Sequence, residues 1–199
     1  MPRVTEQHRE GRRRQITLAA ARCFHRDGFH ATTMDSIIRE AGLSAGAVYR
    51  YFPSKDAIIA AVGLSAMTDV TGLIEAAAHA PSLGPPDRVF PEMFRALDAY
   101  LCRDRGIDYA RIAIQGWGES TRNPELRAHA RALHLAATAA LAHLLGRWRD
   151  AGAVAPSLDP DAAAPSLLSL LLGFLVQRVV LGDVDPETYA AGAAQLTGR

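Results

Sequence analysis

The chain has 199 residues, 49% of them apolar and 22% charged, an ordinary globular balance that fits one large helical domain or a small module on a larger one. Its two cysteines, Cys23 and Cys102, exclude a disulfide scaffold and read as buried thiols in a reducing compartment. The net charge of +1 hides a split: residues 1–55 hold ten Arg/Lys against five Asp/Glu, and residues 56–199 hold twelve against sixteen. A basic head on an acidic body points to a polyanion partner for the head alone, with a solvated charged face as the bland alternative.

The predicted elements run as follows. A first helix spans 9–27, with Ile16, Ala19, Ala20, Cys23 and Phe24 at helical spacing and arginines opposite, until Gly28 stops it. Arg22, His25, Arg26 and Asp27 interrupt what a signal peptide would need, so a cytoplasmic protein is expected. Thr32-Thr33 caps a short second helix striped by Met34, Ile37, Ile38 and Ala41. "AGLS" at 41–44 is a tight turn in which Gly42 takes the left-handed conformation and Ser44 caps a third helix from Ala45 to Tyr51. Phe52-Pro53 ends that helix, and Ser54 caps a fourth that reaches about residue 80. Phe24, Phe29, Ile37, Val48 and Phe52 are the expected small core.

"APSLGPPD" at 80–87 reads as a linker. Helices follow at 89–104, 107–117, 123–149, 162–181 and 186–196, with Pro91 in the first turn of its helix and Asn123-Pro124 opening another. Residues 152–165 form the longest irregular stretch. The most apolar run, "LLSLLLGFLV" at 167–176, is too short to cross a bilayer, so no membrane association is expected. The fold class is all-α: an N-terminal three-helix helix-turn-helix domain, residues 1–55, and a larger helical ligand-binding and dimerisation domain, residues 56–199.

Two short helices joined by a glycine-containing turn make a helix-turn-helix signature. A recognition helix brings its first turn against the floor of the major groove. Ser44, Ala45, Gly46 and Ala47 are small enough for close approach, and the helix dipole offers its positive end there. Tyr49 and Tyr51 carry hydroxyls for phosphate oxygens, although two residues apart they cannot share a helix face, so one of them belongs to the core in the plainer reading. Lys55 adds a charge where the next helix begins.

The stretch "FHRDGFHATTMDSIIREAGLSAGAVYRYFPSKDAIIAAV", 24–62, resembles the N-terminal domain of TetR-type (TetR/AcrR) transcriptional regulators through Phe24, Gly28, Thr32-Thr33, Ile37, Ala41-Gly42, Ser44, Gly46, Tyr49, Tyr51-Phe52, Lys55 and Ile58. The resemblance implies a homodimer on a palindromic operator in double-stranded DNA, released by a small-molecule effector. It implies phosphate contacts from Tyr49, Lys55 and Thr33, and base contacts at Ala45, Gly46, Ala47 and Tyr51. Alanine and glycine offer only apolar contact or close approach, so direct readout leans on Tyr51, Arg50 and a basic arm, or on operator shape. Arg12, Arg13 and Arg14 of that arm either enter a minor groove or neutralise phosphates.

The helix at 164–182 is apolar almost all round, and two readings stay open: the centre of a monomer core, or half of a dimer interface. The symmetry of a palindrome favours the second. The expected interface then comprises Leu133, Leu141, Leu144, Leu167, Leu170, Leu171, Phe174 and Arg178, with Ser166, Ser169 and Gly173 permitting close crossing. An effector pocket is expected from Phe90, Met93, Phe94, Leu97, Tyr100, Leu101, Ile114 and Trp117, with Arg111, Gln115 and His134 as polar groups, and an apolar or amphipathic ligand. An ordinary core is the plainer alternative for any one of them. No phosphate loop or HExxH motif occurs, the seven histidines are scattered, and no enzyme activity, metal or cofactor is expected. The rival reading is a non-specific DNA-binding or helical ligand-binding protein without operator specificity.

Overall fold

One wet and one dry face define the first helix. In the computed structural model, which describes residues 6–104, 106–182 and 184–196, that helix is α1, Glu6–Ala31, and begins ahead of the expected residue 9. Ile16, Ala20, Cys23 and Phe24 are buried on it. Gly28, at φ 76° and ψ 169°, breaks it before its end in a region only glycine enters without strain. Phe29 thereby turns back to meet Phe24 edge-on, with ring centroids 4.7 Å apart.

Helix α2, Met34–Ala41, is closed by a reciprocal cap: the Ser36 N–H donates to Thr33 Oγ1 at 3.1 Å and the Thr33 N–H donates to Ser36 Oγ at 3.0 Å. Gly42, at φ 64°, makes the left-handed turn into α3, Ala45–Tyr51, whose Ala47 N–H donates to Ser44 Oγ. Phe24, Phe29, Ile37, Val48, Phe52 and Ile58 are all 5% exposed or less, so the expected small core closes, completed by the start of α4, Lys55–Ala78.

Five more helices follow: α5 Pro86–Leu101, α6 Tyr109–Ser120, α7 Pro124–Asp150, α8 Pro160–Leu181 and α9 Pro186–Leu196. Among the described residues there is no strand. Helix α4 packs against α1, α5, α6 and α7, so the same rod carries the head and forms a wall of the body. Helix α7 lies between α4 and α8, and α9 covers α5. The connection from α4 to α5 is pinned by Arg147, which donates to the Ala78 carbonyl at 2.8 Å, and by the Trp148 indole N–H, which donates to the Gly84 carbonyl at 2.7 Å.

Several boundaries differ from the sequence reading. Helix α5 starts at Pro86, so Pro91 lies inside it rather than in its first turn. Helix α8 starts at Pro160 behind an Asp159 cap and absorbs Pro165, which shortens the irregular stretch. Both α4 and α8 are long and apolar enough to cross a membrane, which the ten-residue run had concealed, but here each is packed among other helices. Cys23 is buried, whereas Cys102 is exposed because α5 ends at Leu101 and leaves the thiol in the following turn.

Candidate nucleic-acid interface and interior chamber

Helix α3 turns Val48 inward and leaves Ser44, Ala45, Gly46, Tyr49 and Arg50 exposed, with Ala47 partly so. A Cβ added to Gly46 would meet no atom within 4 Å. Packing inside the chain therefore does not require glycine there, and the bare turn faces outward. The two tyrosines divide as their spacing demands: Tyr49 is 48% exposed, and Tyr51 is half-buried against the core. Thr33 is exposed at the start of α2.

Lys55 is more confined than its sequence role suggests. Its ammonium donates to the carbonyls of Phe29 at 2.9 Å, Thr32 at 3.0 Å and His30 at 3.4 Å. All three N–H donors are engaged in closing the end of α1, so a phosphate reaching Lys55 must share or exchange one of them. The arginines expected to serve as an arm are helical. Arg12, Arg13 and Arg14 lie within α1, where Arg12 donates to Gln15 Oε1 at 2.8 Å and the Arg13 guanidinium covers the Phe52 ring at 4.5 Å. Helix formation through residues 12–14 removes the extended backbone with which these three arginines would enter a minor groove. Arg39, passed over in the sequence, is exposed at the end of α2 with no carboxylate partner among the described residues.

Two cavities, each partly open to solvent, lie among the described residues of the body. One, of about 430 Å³, is walled by α4 (Met67, Val70, Thr71, Ile74), the end of α5 (Tyr100, Leu101), α6 (Tyr109, Ala113, Trp117), α7 (Arg127, Arg131, Leu133, His134, Ala137) and α8 (Leu168, Leu172, Leu175). The other, of about 500 Å³, lies between α4, residues 80–85 and α5, and includes Met93, Leu97 and Leu171. Among the described residues no carboxylate lines the first cavity, whereas Arg88 and Glu92 at the second pair with each other at 3.1 Å.

A polar knot sits beside the first cavity. The Arg103 guanidinium stacks on both Tyr100 and Tyr109, 3.7 and 3.6 Å from the ring centroids. Tyr100 donates to Asp69 at 2.8 Å and Tyr109 to Asp104 at 2.6 Å, while Arg103 pairs with both carboxylates. Burial, then these hydrogen bonds, pushes both phenol pKa values up, so the hydroxyls stay protonated and bound to their carboxylates.

The expected single pocket is thus divided. Tyr100, Leu101, Trp117 and His134 reach the first cavity, and Met93 and Leu97 the second. Phe90 and Phe94 reach neither. The turn of α5 sends Phe90 against Trp148 and Phe94 against Phe174 and Tyr189, where both are core. Arg111 is exposed, Ile114 lines neither cavity, and Gln115 faces the head: its Oε1 accepts from the Phe29 N–H at 2.9 Å. A second bond joins head and body, from the Asp108 N–H to His25 Nδ1 at 3.1 Å. Thr71, Arg127 and Arg131 of the chamber wall escaped sequence reasoning, because α4 and α7 carry no local mark of which face meets an interior space.

The expected interface residues also move. Leu141, Leu144, Leu167, Leu171 and Phe174 are buried within one protomer, because α8 packs on α6 and α7 of its own chain. Leu133 lines the first cavity, and the Leu170 carbonyl accepts from the Tyr189 hydroxyl at 3.2 Å. Arg178 is held by Asp98 and lies 2.8 Å from Cys102 Sγ. Gly173 allows close approach inside the chain: a Cβ there would lie 2.9 Å from the Tyr189 hydroxyl. The apolar side chains left outward are Leu135 on α7 and Val176, Val180 and Leu181 on α8.

A capped helix-turn-helix on a helical body defines a DNA-binding transcription regulator, and comparison with known proteins agrees. Residues 16–62 match the model of bacterial regulatory proteins of the tetR family, and residues 91–197 match the C-terminal region of BetI-type transcriptional repressors. The chain belongs to the TetR family. It is 30% identical to the HTH-type transcriptional repressor Rv1474c of Mycobacterium tuberculosis, over 96% of this chain and 94% of that one. Its fold is similar to that of Salmonella enterica GusR, at 24% identity and a TM-score of 0.73 over 98% and 97% of the two chains. It is likewise similar to SmeT, the Stenotrophomonas maltophilia efflux-pump repressor, in its triclosan complex, at 24% identity and a TM-score of 0.75 over 94% and 90%.

Proposed function

We propose that the protein is a cytoplasmic homodimeric repressor that binds a palindromic operator through residues 1–55 and is released when a small amphipathic molecule enters the first cavity of residues 56–199. The observation that carries this reading is the double role of α6. Tyr109, Ala113 and Trp117 line the chamber, while Gln115 and the Asp108 N–H hold α1 of the head. A ligand that displaces α6 therefore bears on the spacing of two heads, which must match major grooves about one helical turn apart.

In the complex, Ser44, Ala45, Gly46 and Ala47 approach the groove floor and Arg50 and Tyr51 its edges. Tyr49, Thr33 and Lys55 meet phosphates. The dimer buries the outward face of Leu135, Val176, Val180 and Leu181 in place of the core leucines. Selection of random duplex DNA by the purified protein tests the reading, followed by sedimentation of the Val180→Glu/Leu181→Glu variant. A palindromic motif and a variant of half the wild-type mass are expected. An unstructured pool, with binding that vanishes as salt rises, would leave a non-specific DNA-binding protein instead.

A further inference from the structure

The chemistry of the first cavity narrows what can occupy it. Its interior is made almost wholly of aliphatic and aromatic side chains from α4, α6, α7 and α8, and its volume of about 430 Å³ is within the usual range for small-molecule sites. A polar ligand group must find its partner among few side chains. The tyrosine hydroxyls are already bound to Asp69 and Asp104, and one face of each ring is covered by Arg103. A cationic ligand therefore finds no carboxylate among the described residues of this wall.

The remaining polar groups are of one character. Arg127, Arg131 and His134 stand four and then three residues apart on α7, the spacing that places side chains on one helical face, and all three line the cavity. They are exposed on their outer side, so they form its mouth. Neither guanidinium pairs with a carboxylate or donates to another group among the described residues, whereas Arg88 at the second cavity is paired with Glu92. Deeper in, Thr71 is 7% exposed, and its hydroxyl makes no hydrogen bond among the described residues.

We infer, on the reading of the body as an effector domain, that the first cavity takes an anionic amphiphile: a linear apolar tail inside, and a carboxylate or phosphate-bearing head held at the mouth by Arg127 and Arg131. Guanidinium groups bind oxyanions through paired, charge-assisted N–H donors. The second cavity, with its internally paired rim, does not share this preference.

The test is titration of the full-length protein with dodecanoate, dodecan-1-ol and dodecyltrimethylammonium below their micelle concentrations, read by calorimetry and by the change in tryptophan fluorescence, Trp117 lying in the wall and Trp148 outside it. Dodecanoate is expected to bind about tenfold or more tighter than the alcohol, as charge-assisted hydrogen bonds require. In the Arg127→Gln/Arg131→Gln variant the two should agree to within about twofold with the alcohol unchanged, while Arg127→Lys/Arg131→Lys retains part of the preference. An unchanged melting temperature is expected, since both side chains are exposed. Dodecanoyl-coenzyme A separates the two sources of such a head: tighter binding than dodecanoate points to an acyl thioester, weaker binding to a free acid, and either above the alcohol supports the inference. It is overturned if no anion exceeds the alcohol, if the ammonium binds best, or if the acid preference survives in the glutamine variant. No DNA is present, so an anion that binds yet leaves the operator complex intact refutes the proposed release and not the ligand class.

Discussion

The head and the body solve opposite packing problems with the same helical material. In the head, α1, the two short helices α2 and α3 and the start of α4 close on Phe24, Phe29, Ile37, Val48 and Phe52, with α2, α3 and α4 each capped by a side chain. In the body, longer helices stand around two cavities, and the polar groups between them concentrate in a few knots such as Arg103 with its two tyrosines. A surface that must fit a rigid duplex tolerates no slack, whereas a chamber needs some. The contrast teaches where each region is vulnerable: the head to lost volume, the body to added volume.

The largest expected effect breaks the head. Phe24→Ala removes a fully buried ring packed edge-on against Phe29 and should cost about 3–5 kcal/mol, with loss of DNA binding, measured by chemical denaturation and fluorescence anisotropy. Next, Gly173→Ala drives a methyl into the Tyr189 hydroxyl. It should destabilise the body by about 1–3 kcal/mol while the head keeps its operator affinity at temperatures where the protein stays folded. The same methyl added in the head sharpens the contrast. Gly46→Ala meets empty space, so stability should stay level or rise by up to about 1 kcal/mol, while DNA affinity falls if the bare turn touches the groove.

Much of the head was legible in sequence because its determinants are local. Thr33, Gly42, Ser44 and Ser54 act on backbone groups within a few residues, and the small core follows from helical periodicity. That Arg12, Arg13 and Arg14 lie on a helix followed from periodicity, whereas the stacking of Arg13 on the Phe52 ring did not, because the two are far apart in sequence. Lys55 was read as a bare charge because its three carbonyl partners lie 23 to 26 residues away in sequence. In the body, Phe90 and Phe94 carry the same apolar signal as Met93 and Leu97, and only the positions of α7, α8 and α9 decide which of them meets a cavity.

By itself, then, the sequence determined the helical class, the capped helix-turn-helix, its outward row of small residues and the division into a basic head and an acidic body. Each depends on interactions between near neighbours or on composition. The tertiary structure alone decided that Leu167, Leu168, Leu171 and Leu175 of α8 belong to the protomer's core, that Gln115 and His25 join the two regions, and that Arg127 and Arg131 stand at the mouth of an apolar chamber with no carboxylate partner among the described residues. Those outcomes depend on which helix faces meet across dozens of residues, and no local pattern in a uniformly helical chain encodes that pairing.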